Sequence, residues 1–146
     1  MKSRLDIEEQ TETTDNIRDE SQSRKKCVLF VENDPALFKV VDQMLKLLGY
    51  ETVISANGKE ACRLIESQPK RFDVVITDMN MPGMGGLELT KNILEVRPDI
   101  PVLLCTGLDT FEIGKKAREI GIRAIIPKPF MFKDLKQTIS EALAEG

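Results

Sequence analysis

Four short stretches hold most of the residues that could do chemistry. Glu32, Asn33 and Asp34 follow the apolar run CVLFV (27–31), and a lone acid, Asp78, follows DVVIT (73–77). Thr106 and Gly107 follow PVLLC (101–105), and Lys128 and Pro129 follow RAIIP (123–127). Gathered at one place, they would set several acids, one hydroxyl and one ammonium around a single shallow pocket. Two carboxylates ~5 Å apart repel by about 3 kcal/mol at an effective dielectric of ~20. Raised pKa values or a bound cation relieve that repulsion. A hard donor set of oxygens, without His or Cys, favours Mg²⁺ with retained waters over zinc or a full calcium cage. A metal facing an ammonium is what phosphoryl transfer needs, because its transition state spreads negative charge over three equatorial oxygens. Asp78 would then be the nucleophile and form an aspartyl phosphate. The chain contains no histidine, so it lacks His-based general-base chemistry, most zinc sites and a phosphohistidine of its own.

The elements that must bring these residues together are legible from Cys27 onward. CVLFV is a first strand, and Asp34-Pro35 supplies an N-cap and a proline at the first helical position. Leu37, Val40, Val41, Met44 and Leu48 follow at helical spacing, and Gly49 closes that helix. YETVIS (50–55) is a second strand. Asn57 and Glu60 form a capping box for a helix ending before Pro69. After DVVIT a helix runs from Gly86 to Val96. After PVLLC, Asp109 and Glu112 make another box, with Ile113, Ala117 and Ile120 on one face and Gly121 at the exit. RAIIP is the fifth strand, and the last helix carries Leu135, Ile139, Ala142 and Leu143. Strand–helix alternation with apolar strands implies an α/β fold, a (βα)5 parallel sheet covered on both faces. Right-handed crossovers align the strands' C-terminal ends along one edge, where ligands of such sheets bind.

In order, and each at a strand end, VEND, DMNMPGMGGLEL, CTG and KPF identify residues 26–144 as resembling the receiver domain of two-component response regulators. The resemblance implies a CheY-like, flavodoxin-like sheet of strand order 2-1-3-4-5. It also implies that Asp78 is the phosphoacceptor and that Glu32 and Asn33 occupy the two acidic-pocket positions. Asn80 would lend its backbone carbonyl to Mg²⁺, which Glu32, Asn33 and Asp78 also ligate. Thr106 would donate its hydroxyl to a phosphoryl oxygen, Lys128 would pair with another, and the Lys128–Pro129 bond would be cis. Two positions depart from the family pattern. Asn33 stands where an aspartate usually ligates the metal, which predicts weaker Mg²⁺ binding and slower phosphorylation. Ile125 stands where an aromatic ring usually moves with the threonine, so the Thr106–Ile125 switch must rely on backbone and aliphatic shifts.

The bulk properties agree with a signalling module that works through proteins. The chain has 146 residues, 41% hydrophobic and 31% charged, with a net charge of −3. That reads as one globular domain with no basic stripe for nucleic acid. No apolar run nears the ~20 residues of a membrane span, and the charged start is no signal peptide. Cys27, Cys62 and Cys105 read as reduced thiols of a cytoplasmic protein. Residues 1–26 hold seven acids and six bases, with Leu5, Ile7 and Ile17 the bulky aliphatics, and read as a charged, disordered tail ahead of a receiver domain over 27–146. The expected partners are a histidine kinase or histidine phosphotransfer protein, which supplies the phosphohistidine, and a downstream protein target. The chain ends soon after its fifth helix, so a single-domain regulator without an output domain is expected. It is not an enzyme in the ordinary sense, since it modifies only itself. A phosphorylation-independent interaction module with the same fold is the alternative. A flavin protein of similar topology is a third reading, weakened by the absence of a glycine- or Ser/Thr-rich phosphate cradle in the first loop.

Overall fold

The computed structural model describes residues 24–107 and 110–145, with the side chains of Thr110, Phe111 and Glu145 excepted. The tail expected over 1–26 therefore lies almost wholly outside the described residues, and so does the Asp109 cap. Strands β1 (Cys27–Val31), β2 (Glu51–Ser55), β3 (Val74–Asp78), β4 (Val102–Thr106) and β5 (Ala124–Pro127) alternate with five helices. These are α1 (Pro35–Leu47), α2 (Gly58–Ser67), α3 (Gly86–Val96), α4 (Thr110–Ile120) and α5 (Phe132–Glu145). The sheet is parallel, in the order β2-β1-β3-β4-β5 expected from the sequence.

Side-chain alternation along the strands divides the core in two. Leu29, Val31, Val75 and Leu104 meet Ile65 of α2, Leu89 and Ile93 of α3 and Ala117 of α4. Val28, Phe30, Ile76 and Leu103 meet Val41 and Leu45 of α1 and Leu135 and Ile139 of α5. Burying each such aliphatic or aromatic side chain favours the fold by ~1.5–3 kcal/mol. Phe30 is locked further by the edge of Phe130, with ring centroids 6.0 Å apart.

The starts of α1 and α2 follow the sequence, with one adjustment at α2. Asp34 caps α1 by accepting from the Ala36 N–H at 3.0 Å. Asn57 caps α2 by accepting from the Glu60 N–H at 2.8 Å, but the Glu60 carboxylate reaches the Ala56 N–H (3.2 Å) and the Ser55 hydroxyl (3.3 Å) rather than its box partner. On α1 the buried positions are Val41 and Leu45, and Val40 faces outward at 47% exposure. Gly49 and Gly121 end their helices with φ of 92° and 117°, in the left-handed region that favours glycine.

Candidate functional site

The strand order reverses at β1, so the C-terminal ends of β1 and β3 border the crevice where ligands of such sheets bind. Backbone bonds carry the ladder past each strand and fix what stands there. The Glu32 N–H donates to the Ser55 carbonyl at 3.0 Å, Met79 N–H to Cys105 at 2.9 Å, and Lys128 N–H to Thr106 at 3.1 Å. The register sets Asp78 opposite Cys105 and Thr106 opposite Pro127. Glu32, Asp78, Thr106 and Lys128 are thereby delivered by four different strands to one rim.

Three of these side chains are in direct contact. The Lys128 ammonium lies 2.6 Å from Asp78 Oδ1 and 3.6 Å from Glu32 Oε1. Glu32 and Asp78 are only 2% and 6% exposed, so water screens the group poorly. Burial, and next the Asp78 charge, push the Glu32 carboxyl above its ordinary range, with Lys128 opposing. For Lys128, burial pulls the ammonium down, but the hydrogen bond and charge of Asp78 together with Glu32 prevail and raise it. Burial, followed by the Asp78 charge, also lifts the neighbouring Cys105 thiol far above its usual range. The Lys128–Pro129 peptide bond is cis.

The other expected site residues lie around this triad. Thr106 is buried at the end of β4, one residue beyond the partner of Asp78. Asn33 and Asn80 are exposed on the loops that follow β1 and β3. Asp34 faces away, because its carboxylate caps α1, while its N–H steadies Glu32 Oε2 at 3.2 Å. Ile125 registers with Leu104 on β5, short of the rim, and packs toward α4 against the core.

An oxygen-binding cation fits the donor set present. Glu32 Oε1 is buried and accepts no hydrogen bond. With only the Lys128 ammonium near it among the described residues, at 3.6 Å, an oxygen in a crevice of acids suits a hard metal ion. Among the described residues no three His, Cys, Asp or Glu side chains form a metal cluster. Next to Glu32 in the chain stands the neutral amide of Asn33.

One residue essential to this geometry gave no signal in the sequence. A Cβ on Gly86 would stand 2.4 Å from the Asp78 carbonyl oxygen, 3.0 Å from Met79 Cα and 2.9 Å from a Leu104 methyl. The Gly86 N–H donates to the Met79 carbonyl at 2.8 Å. Only a glycine there lets α3 start directly against the backbone that carries Asp78.

Comparisons with known proteins identify the family and the fold. The response regulator receiver domain family matches residues 28–140. The DNA-binding transcriptional regulator NtrC of Rhizobium meliloti is 36% identical over 118 residues, covering 81% of this chain and 24% of the relative. The chain spans about a quarter of the length of the curated relatives it matches. Among solved structures, a CheY-like receiver domain protein of Methanospirillum hungatei superposes with a TM-score of 0.77 at 31% identity, covering 83% of this chain and 95% of that one. The receiver domain of a Pseudomonas aeruginosa sensor histidine kinase, with a magnesium ion in its active-site cleft, gives 0.74 at 25% identity over 82% of this chain and 98% of that one. The chain belongs to the receiver domain family of two-component response regulators.

Proposed function

We propose that this receiver takes a phosphoryl group on Asp78 from phosphohistidine on a histidine kinase or phosphotransfer protein, and passes the signal on by contact with a downstream protein in the cytoplasm. The observation that carries the reading is the Lys128 ammonium, 2.6 Å from the carboxylate of a nearly buried Asp78. A carboxylate oxygen of Asp78 attacks phosphorus, the donor's phosphorus–nitrogen bond breaks, and the imidazole leaves with the electron pair. Once esterified, Asp78 presents less charge to Lys128, and the ammonium follows the charge onto a phosphoryl oxygen. Thr106 donates its hydroxyl to another. Attack by water on phosphorus later breaks the new bond and restores the carboxylate.

Glu32, the Asn33 amide oxygen, Asp78 and the Asn80 backbone carbonyl would hold Mg²⁺, which when bound opposes the negative charge of the equatorial oxygens. The buried Glu32 Oε1, which accepts no hydrogen bond, supports that assignment. The working unit is residues 27–146, preceded by a charged arm over 1–26. With Ile125 in place of a ring, the response to phosphorylation passes through backbone and aliphatic packing, which predicts a small population shift.

Incubation of the chain with acetyl phosphate and Mg²⁺, followed by intact-mass measurement, tests the reading. One added phosphoryl group on the wild type and none on Asp78→Asn supports it. No added mass on either would favour the phosphorylation-independent interaction module, for which Asn33 and Ile125 are the motivating features.

A further inference from the structure

Away from the strand-end site, a groove of about 380 Å³ runs between α4 and β5. Its floor is apolar, made by Ala117, Ile122, Ile125 and Pro127, and among the described residues its polar lining is Arg118 and Arg123, the latter also donating to the Ala142 carbonyl at 3.4 Å. Gly114 lines it, and a Cβ there would meet the Ile125 methyl (3.8 Å) and the Arg118 guanidinium (3.6 Å) only at ordinary contact distance. Among the described residues β5 is an edge strand with β4 its one neighbour, so an extended segment could pair beside it.

An occupant needs apolar side chains interleaved with acids, and this chain carries such a segment. Residues 1–23 hold seven acids against three bases, and Leu5 and Ile7 alternate with Asp6 and Glu8. The whole chain has a net charge of −3, so the remainder is in positive surplus by one. The described chain begins at Arg24, held 3.6 Å from Asp73 at the foot of β3. From there the groove lies about three strand spacings away, roughly 15 Å. The residues between Ile7 and Arg24 can span ~55 Å when extended.

We infer that the acidic N-terminal segment of this chain docks in the α4–β5 groove. Leu5 and Ile7 sit on the apolar floor, and the neighbouring acids face Arg118. A tether of this length gives a local concentration in the mM range, so even a contact with a Kd of about 1 mM is roughly half-populated. The docking does not depend on the role assigned to Asp78, and its test reads the segment's position alone.

The test is a comparison of amide NMR spectra of the full-length wild type with full-length Leu5→Ser/Ile7→Ser and Arg118→Glu. In the tail variant, resonances of Gly114, Ala117 and Ile125 should move while those of Ala61 and Ile65 on α2 stay fixed. In wild type, high salt should move the groove resonances in the same direction. The shifts should not change on dilution, and light scattering should give a monomer. Groove resonances that superimpose in wild type and the tail variant would overturn the proposal. Shifts that vanish on dilution together with a dimer mass would also overturn it, and would give the groove to a second copy.

Discussion

Gly86→Ala is expected to reverse the ordinary effect of its class of substitution. Replacing glycine by alanine within a helix normally stabilises by ~0.5–1 kcal/mol, because it lowers the freedom of the unfolded chain. Here the added methyl would stand 2.4 Å from the Asp78 carbonyl oxygen, with backbone and a fully buried leucine side chain as the other near neighbours. None of these is the loose end of a flexible side chain. Overpacking of this kind costs ~1–3 kcal/mol, so the net result is a loss of about 1–2 kcal/mol. Gly114→Ala is the internal control, since its Cβ meets nothing nearer than 3.6 Å, and it should gain ~0.5–1 kcal/mol. Urea denaturation followed by circular dichroism measures both. With m near 1–3 kcal/mol per M, the two midpoints should separate by roughly 0.5–3 M. The displaced Asp78 backbone should also slow the gain of phosphoryl mass from acetyl phosphate. If both variants are stabilised alike, the close approach of α3 to Asp78 is not real and the reasoning fails.

Three further outcomes follow from other parts of the molecule. Asn33→Asp restores a formal charge beside Glu32, and should tighten Mg²⁺ binding by about tenfold or more in a calorimetric titration; an unchanged affinity would show that residue 33 does not face the ion. The Arg97 guanidinium donates to the Pro69 and Phe72 carbonyls and pairs with Asp99. Arg97→Ala should therefore cost ~1–3 kcal/mol in chemical denaturation, and Arg97→Lys should not recover it, because an ammonium lacks the fork. The buried Cys105 thiol has its pKa raised well above the ordinary 9.0, so the unfolded chain ionises first. Stability is full below that value and falls as pH rises past it, and the alkaline slope should be shallower in Cys105→Ala.

The alternation of strands and helices was legible because each buried strand is a β-branched or aliphatic run and each helix opens on a capping signal. Several strand bounds differ by one residue from the apolar runs. Asp73 stands just ahead of β3, where its N–H donates to the Cys27 carbonyl at 2.9 Å and its carboxylate accepts the Cys27 N–H at 2.7 Å. Asp78 belongs to the ladder, in register with Cys105. Glu32, Asp78, Thr106 and Lys128 could be picked out because parallel topology sends every strand end to one edge. What stayed hidden depends on partners remote in the chain. Gly86 is silent until α3 meets β3. Met84 packs against the site of the Gly58 hydrogen, where a Cβ would lie 2.9 Å from its sulfur. Arg97 reads as a surface cation until the α2–β3 loop comes beneath it.

The most direct measurement of the central claim converts the phosphorylated carboxyl chemically and locates it. Borohydride reduces an acyl phosphate to an alcohol, turning a phosphorylated aspartate into homoserine. After treatment with acetyl phosphate and Mg²⁺, reduction and tryptic digestion, the peptide from Phe72 to Lys91 should carry homoserine at position 78 and no other altered acid. Conversion at Glu32 or any other carboxyl, with Asp78 intact, would contradict the account.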